Sequence, residues 1–265
     1  MSMLKVKDTP NHLGAYISGT FDDLDTLYDA VYDVMGPPGE EPAVSGDGEA
    51  LRVLGVLYEI RHAYMGMRGI DRCFNGVDHQ SMEFEDKELP ERNVEFSVPL
   101  MWPELAYFTL VIDDMAVKAI EHPKKLYRGI DKAVYEAVGE RLESSIGLVK
   151  LFVSLVWLEM QRLIGKRRMA RIHRNAVYGP DYGIEQIRPD MYPQYIDMLN
   201  IRYGNMKPEK RPQELGKIVR CFMDPLSDHK YNRMVRDIRT AAFQYDVDES
   251  EVDLFSNQYP EVMEW

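Results

Sequence analysis

The stretch LRVLGVLYEIRHAYMG, residues 51–66, decides the fold because it predicts a helix that is apolar around most of its circumference. At about 100° per residue, the polar and small residues of this stretch fall together on one narrow side. We call this side the polar wedge; it contains Arg52, Gly55, Glu59, His62 and Gly66. A helix that is apolar on its other sides is expected at the centre of a core, with the polar wedge facing water or a close neighbour.

Three charged residues interrupt the apolar faces of predicted helices: Arg61, Asp113 and Glu159. A buried carboxylate without a partner takes up a proton or costs free energy, and a buried guanidinium cannot release its proton. We therefore expect a buried ion pair in which Arg61 binds Asp113, Glu159 or both through paired hydrogen bonds.

The same helix carries a Glu-x-x-His pair, Glu59 and His62, which is the spacing that di-iron carboxylate proteins use. Those proteins need two such pairs, and the sequence holds one, with no His-x-x-x-His or Cys-x-x-Cys motif. We therefore predict neither a metal nor another cofactor. The alternative is a metal-dependent or acid–base enzyme with Arg52, Glu59 and His62 as candidate catalytic residues, facing Asp113 or Glu159. A deep pocket at the polar wedge favours the enzyme, and a filled wedge favours an interaction protein.

The flanking sequence adds a small sheet to the helices. Residues 3–19 alternate around a Pro-Asn-His-Leu-Gly turn and predict a hairpin, and residues 93–100 predict a strand that joins it. Thr20 and Asp23 form a capping pair for the next helix, and residues 132–165 predict one long helix or two. The predicted fold class is α+β, mainly α: a helical bundle with a small antiparallel sheet of about three strands. Residues 1–265 form a single integrated domain, with a possible C-terminal helical subdomain at 190–265.

The composition limits the cellular environments in which this protein is expected. The chain has 265 residues, is 45% hydrophobic and carries a formal net charge of −12. Such a chain forms a sizeable core and repels nucleic acid and anionic membranes. Because Cys73 and Cys221 lie far apart and no signal-peptide pattern opens the sequence, we expect a cytoplasmic protein with free thiols. The long apolar window at residues 146–164 contains Lys150, Glu159 and Arg162, which favours a core helix over a membrane span.

A basic run, GKRRMARIHR at residues 165–174, stands out in this acidic chain. Its candidate partner-binding residues are Arg167, Arg168, Arg171 and Arg174. The run could also complement a helix C-terminus, or pair with the acidic helix at residues 22–33 within one chain or across a dimer. Nucleic acid is disfavoured because no aromatic residues interleave the run for base stacking.

Tyrosines crowd the region after the basic run and are able to line an interface or a pocket; they are Tyr178, Tyr182, Tyr192, Tyr195 and Tyr203. Packing of these rings in the core is the other interpretation. From the charge patches and the tyrosines, the leading hypothesis is a non-catalytic cytosolic interaction protein that forms a homo-oligomer or binds a protein partner, with no role at a membrane.

Four stretches carry a family resemblance: residues 3–19, residues 51–66, VPLMWPE at 98–104 and YPEVMEW at 259–265. Together they resemble an uncharacterised family of cytosolic proteins from Bacillus-like bacteria. The resemblance implies one integrated domain and assigns no activity or functional residue.

Overall fold

A computed structural model describes residues 4–36, 47–74, 92–121, 132–178, 192–223, 225–255, 258–259 and 263–265. The described strands are β1 (Lys5–Asp8), β2 (Gly14–Gly19), β3 (Gly69–Phe74) and β4 (Arg92–Met101). The described α-helices are α1 (Phe21–Met35), α2 (Asp47–His62), α3 (Trp102–Glu121), α4 (Lys132–Ile164), α5 (Lys166–Tyr178), α6 (Tyr192–Gly204), α7 (Arg211–Met223) and α8 (His229–Tyr245). The protein is therefore mainly helical with a small sheet, as predicted.

The sheet is antiparallel throughout, in the order β1-β2-β4-β3. The predicted hairpin and its third strand are confirmed, since β2 pairs with β1 on one side and with β4 on the other. The fourth strand, β3, corrects the expected three. It is an edge strand that is exposed along most of its length, so no buried face imposes the apolar alternation that identifies a strand in a sequence.

Local signals place the helices that flank the sheet. Thr20 and Asp23 form the predicted capping box at the start of α1, where the Asp23 backbone N–H donates to Thr20 Oγ1 over 3.2 Å. Residues 132–164 form one continuous helix, which ends at Gly165 with φ at +90°. Glycine suits that position because a side chain would be strained there.

The helix α3 lies at the centre of the helical part and contacts α1, α2, α4, α6 and α7. This corrects the expectation that residues 51–66 form the central helix. One side of α2 packs on the core through Val53, Leu57 and Ile60, while Leu51 and Tyr58 are 63% and 54% exposed. The apolar residues around α2 predicted that most of its circumference is buried, but part of this apolar surface is exposed to solvent.

Cys73 and Cys221 are both free, as predicted. Within the residues that the structure describes, no helix is both long and apolar enough to cross a membrane.

Backbone packing around Gly14 generates a stability prediction. A Cβ atom at Gly14 in β2 would lie 1.9 Å from the Leu100 carbonyl oxygen in β4, so the strands would have to separate. We expect Gly14→Ala to lower the free energy of unfolding by about 1 to 3 kcal/mol or more, as overpacked sites do.

The matched control is Gly147→Ala in α4, where a Cβ meets nothing within 4 Å. This substitution should raise the free energy of unfolding by up to about 1 kcal/mol, because alanine favours a helix over glycine. Urea denaturation of both variants measures the difference, and equal stabilities would contradict the packing between β2 and β4.

Candidate functional site

A cavity of about 670 Å³ lies beside α2, between β4, α3, α6 and the C-terminal residues. Its walls are mostly apolar and include Leu51, Pro99, Met101, Met263 and Trp265. Its polar residues are Arg52, Glu59, Glu104, Asn200 and Tyr259. The cavity therefore opens at the polar wedge, where Arg52, Gly55 and Glu59 line it from one face of α2.

A buried ion-pair cluster forms the polar end of this cavity. Arg52 donates from Nε to Glu104 Oε1 over 2.6 Å and from Nη1 to Asp197 Oδ1 over 2.8 Å, and its Nη2 binds Glu104 Oε2. The Arg52 side chain is 17% exposed. Burial alone would lower the pKa of Arg52, but the two carboxylates more than offset this, so that its pKa is raised and it stays charged.

Two further residues complete what we call the Arg52 cluster. Asn200 donates from Nδ2 to Glu104 Oε2 over 2.8 Å, and the Tyr259 hydroxyl donates to Asp197 Oδ1 over 2.6 Å. Burial, followed by the hydrogen bond to Asp197, raises the pKa of Tyr259 to about 12. The Arg52 cluster therefore joins α2, α3, α6 and the C-terminal segment.

One atom of the Arg52 cluster has no partner. Asn200 is 3% exposed, and its Oδ1 is buried without a hydrogen bond from any described residue. Its Nδ2 is already occupied by Glu104. A buried acceptor in this state costs about 1 to 3 kcal/mol until a donor reaches it. Asn200 is also one of the residues that line the cavity.

Helical spacing explains how these side chains converge. Arg52, Gly55 and Glu59 lie on one face of α2, since they are separated by three and four residues. Glu104 stands in the first turn of α3, just after β4. Asp197 and Asn200 lie one turn apart on α6, so both can face the same neighbour.

Of the predicted catalytic residues, the structure brings Arg52 and Glu59 to the cavity, while His62 is not among its lining residues. Glu59 is bound on both oxygens by Arg68, with Nε–Oε2 at 2.8 Å and Nη2–Oε1 at 3.1 Å. His62 Nδ1 lies 2.7 Å from the Tyr58 carbonyl oxygen, and its ring packs on the Tyr58 ring with centroids 3.9 Å apart. Glu59 and His62 therefore have separate partners.

Among the residues that the structure describes, no group of three or more His, Cys, Asp or Glu side chains is arranged to hold a metal ion.

The expected buried ion pair of Arg61, Asp113 and Glu159 needs correction, because each residue has different surroundings. Arg61 is exposed near the end of α2. Asp113 accepts from Lys150 Nζ over 2.6 Å. Glu159 is buried and accepts from Arg162 Nη1 over 2.7 Å and from the Asp8 backbone N–H over 3.1 Å. The position of a charge on a helix showed which side it occupies, but not which neighbour it meets.

The sequence interpretation did not identify Glu104, Asp197, Asn200 or Tyr259 as site residues. Glu104 carried a signal, as an acid in a first helical turn, but that position also has an ordinary helix-stabilising role. Asp197 and Arg52 are 145 residues apart in the sequence, so no local pattern predicts that they pair.

The predicted partner-binding arginines lie on α5, where Arg167, Arg168 and Arg171 are exposed. Arg174 lies outside the described side chains, as do Tyr178, Tyr182 and Tyr192. Tyr195 and Tyr203 are buried, and their hydroxyls donate to Asp228 Oδ2 over 3.2 Å and to the His12 carbonyl oxygen over 2.9 Å. These two tyrosines belong to the core.

A comparison with protein families matches residues 4–265 to a family model described as a domain of unknown function, DUF6904. No curated protein and no solved structure matches the chain.

The Arg52 cluster predicts that the arginines of α2 differ sharply in their effect on stability. Arg52→Met leaves Glu104 and Asp197 without their cation, and we expect a loss of about 3 to 5 kcal/mol of unfolding free energy. Arg61→Met alters an exposed side chain, and we expect a change within about 0.5 kcal/mol. Denaturant unfolding of both variants measures these values. If Arg61→Met lowered the unfolding free energy more than Arg52→Met does, the result would support the buried Arg61 ion pair expected from the sequence.

Proposed function

Because the chain belongs to the DUF6904 family, a family of unknown function, we propose its function from the cavity: it binds a small apolar organic molecule that carries an amine. The single observation that carries this proposal is that Asn200, a polar residue in an otherwise mostly apolar cavity lining, has a buried Oδ1 without a hydrogen bond from any described residue. The amine donates to this oxygen, and the apolar body of the ligand packs against the cavity walls.

The size and lining of the cavity support a small ligand. Pockets that enclose small molecules span about 300 to 1,000 Å³ and combine apolar walls with a few polar groups. The cavity volume of about 670 Å³ falls within this range. Tyr259 and Trp265 supply flat aromatic surfaces against which an apolar ligand gains contact area.

The hydrogen-bonding state of the polar end supports a donor on the ligand. The Arg52 guanidinium already donates to Glu104 and Asp197 from three nitrogens, and the Tyr259 hydroxyl already donates to Asp197. Three of the five N–H groups of Arg52 are thereby engaged, whereas the buried Asn200 Oδ1 is an acceptor that no described residue reaches. Two carboxylates around one guanidinium also leave a net negative charge, which favours a cationic amine over a carboxylate.

The cavity at the polar wedge is the feature that the enzyme hypothesis called for, but the expected acid and base do not meet there. Both oxygens of Glu59 are bound by Arg68, and His62 is held against Tyr58. We therefore propose that this site binds its ligand without acid–base chemistry by the Glu59–His62 pair.

Calorimetric titration with three related probes tests the proposal: 2-phenylethylamine, 3-phenylpropionate and ethylbenzene. We expect the amine to bind at least about tenfold more tightly than the other two, because only the amine donates to the buried acceptor. Equal affinity of all three would show that the polar end does not select the ligand.

A blocking variant locates the binding. A Cβ at Gly55, in the cavity wall, meets nothing within 4 Å, so Gly55→Trp places a large side chain at the cavity and should abolish amine binding. Gly147→Trp is the matched control, since Gly147 also has open space and lies outside the cavity lining. Undiminished binding to Gly55→Trp would refute the cavity as the site.

A second candidate function is self-association through opposite charges, in a cytosolic protein. It is favoured by the exposure of Asp22 and Asp29 on α1 and of Lys166 and Arg167 on α5. Because Tyr195 and Tyr203 are buried, the proposal rests on the charges alone.

Sedimentation equilibrium at two salt concentrations tests self-association. We expect an oligomer at low salt that dissociates at about 1 M salt, where the screening length falls to about 3 Å. The double variant Lys166→Glu with Arg167→Glu should be monomeric at both. A monomeric wild-type protein at low salt would contradict this candidate.

A further inference from the structure

A second cavity, of about 270 Å³, lies between α5 and α7 and has a different chemical character from the first. Four cationic side chains line it: Arg168 and Arg171 from α5, and Lys217 and Arg220 from α7. Gln213 and Gly216 complete the α7 side. None of these residues lines the larger cavity. This basic cavity occurs in a chain whose formal net charge is −12.

The two helices are spaced so that their cations face one place. Arg168 and Arg171 are three residues apart, and Lys217 and Arg220 are also three apart, so each pair shares one face of its helix. The buried side chains of Met169 and Ile172 anchor α5. Gly216 lines the cavity without a side chain, and a Cβ there would make ordinary contact with the Ile164 and Ile172 side chains at 3.8 Å.

Within the part of the chain that the structure describes, the cations around this cavity are only partly compensated. Neither Arg168 nor Arg171 has a hydrogen bond or an ion pair with any described residue. Arg220 Nε donates to the Gly216 carbonyl oxygen over 3.2 Å. Lys217 binds Glu214, which also accepts from Arg202 over 3.2 Å. Like charges that lie close together repel, and an anion bound between them would offset this repulsion.

We propose that the basic cavity binds the phosphate group of a small phosphorylated molecule. Guanidinium groups bind phosphate through two parallel hydrogen bonds, and two unengaged arginines one turn apart offer two such forks. The volume lies below the usual range of about 300 to 1,000 Å³ for pockets that enclose larger ligands. It therefore suits a compact anion such as pyrophosphate or a small phosphate ester.

Nucleic acid fits the cavity less well. The lining contains no aromatic side chain on which a base could stack. Binding to a nucleic acid backbone would also draw on neighbouring exposed cations such as Lys166 and Arg167, which do not line the cavity. The arginines of the cavity can therefore be distinguished from the rest of the basic run.

Calorimetric titration with pyrophosphate tests the proposal on the full chain. The double variant Arg168→Ala with Arg171→Ala should weaken binding by about a hundredfold, since each charge-assisted contact is worth about a factor of ten or more. The matched control is Lys166→Ala with Arg167→Ala, which removes the same charge from the same helix outside the cavity. We expect the control to keep its affinity within about threefold. Circular dichroism melts establish that both variants fold.

Three further titrants identify the source of the phosphate: glycerol phosphate, vesicles containing phosphatidic acid, and a single-stranded oligonucleotide. Selective binding of pyrophosphate or glycerol phosphate, lost in the cavity variant and kept in the control, supports the proposal. Equal loss in both double variants would overturn it, because a diffuse basic surface would then explain the binding. Absence of pyrophosphate binding to the wild-type protein, or binding of the oligonucleotide or vesicles alone, would also overturn it.

Discussion

The burial of Arg52 is the constraint on which the larger cavity depends. A guanidinium keeps its charge at any pH that a folded protein meets, so it can be buried only where acceptors surround it. Glu104 and Asp197 provide those acceptors from α3 and α6. Because the two acids lie on different helices, the charge of Arg52 fixes the positions of both helices relative to α2. The space left between them is the cavity.

A second buried arginine, Arg211, is bound by backbone carbonyl oxygens rather than by carboxylates. Arg211 is 5% exposed and donates to the carbonyl oxygens of Asn11 over 2.7 Å and Gly204 over 2.9 Å. Carbonyl dipoles offset burial less fully than carboxylates do, and burial lowers the pKa of Arg211 while the pKa of Arg52 is raised. Arg211 ties the β1–β2 turn to α7. The sheet is thereby tied to α7, one of the two helices that line the basic cavity.

Structural features of this protein could be predicted from the sequence where the interacting residues are close together along the chain, and not where they are far apart. The capping box of Thr20 and Asp23 could be predicted because its partners are three residues apart. The hairpin could be predicted because alternation and turn residues are also local. The periodicity of α2 correctly grouped Arg52 with Glu59. It could not reveal that Arg52 rather than Arg61 is the buried cation, because the acids that bind Arg52 are 52 and 145 residues away.

The two cavities share a thermodynamic feature that favours functional roles for both. An apolar cavity forfeits the dispersion contacts that a filled core would have, and the unpaired Asn200 Oδ1 adds a desolvation cost. The cations on α5 and α7 repel one another where neutral side chains would not. Neither arrangement adds to the stability of the fold, although its hydrogen-bonded surroundings are well formed. Local departures of this kind from an optimally stable structure are expected where a protein contacts another molecule. The two proposed ligands differ for the same reason, since the net negative charge of the Arg52 cluster disfavours the phosphate that the cations of the basic cavity attract.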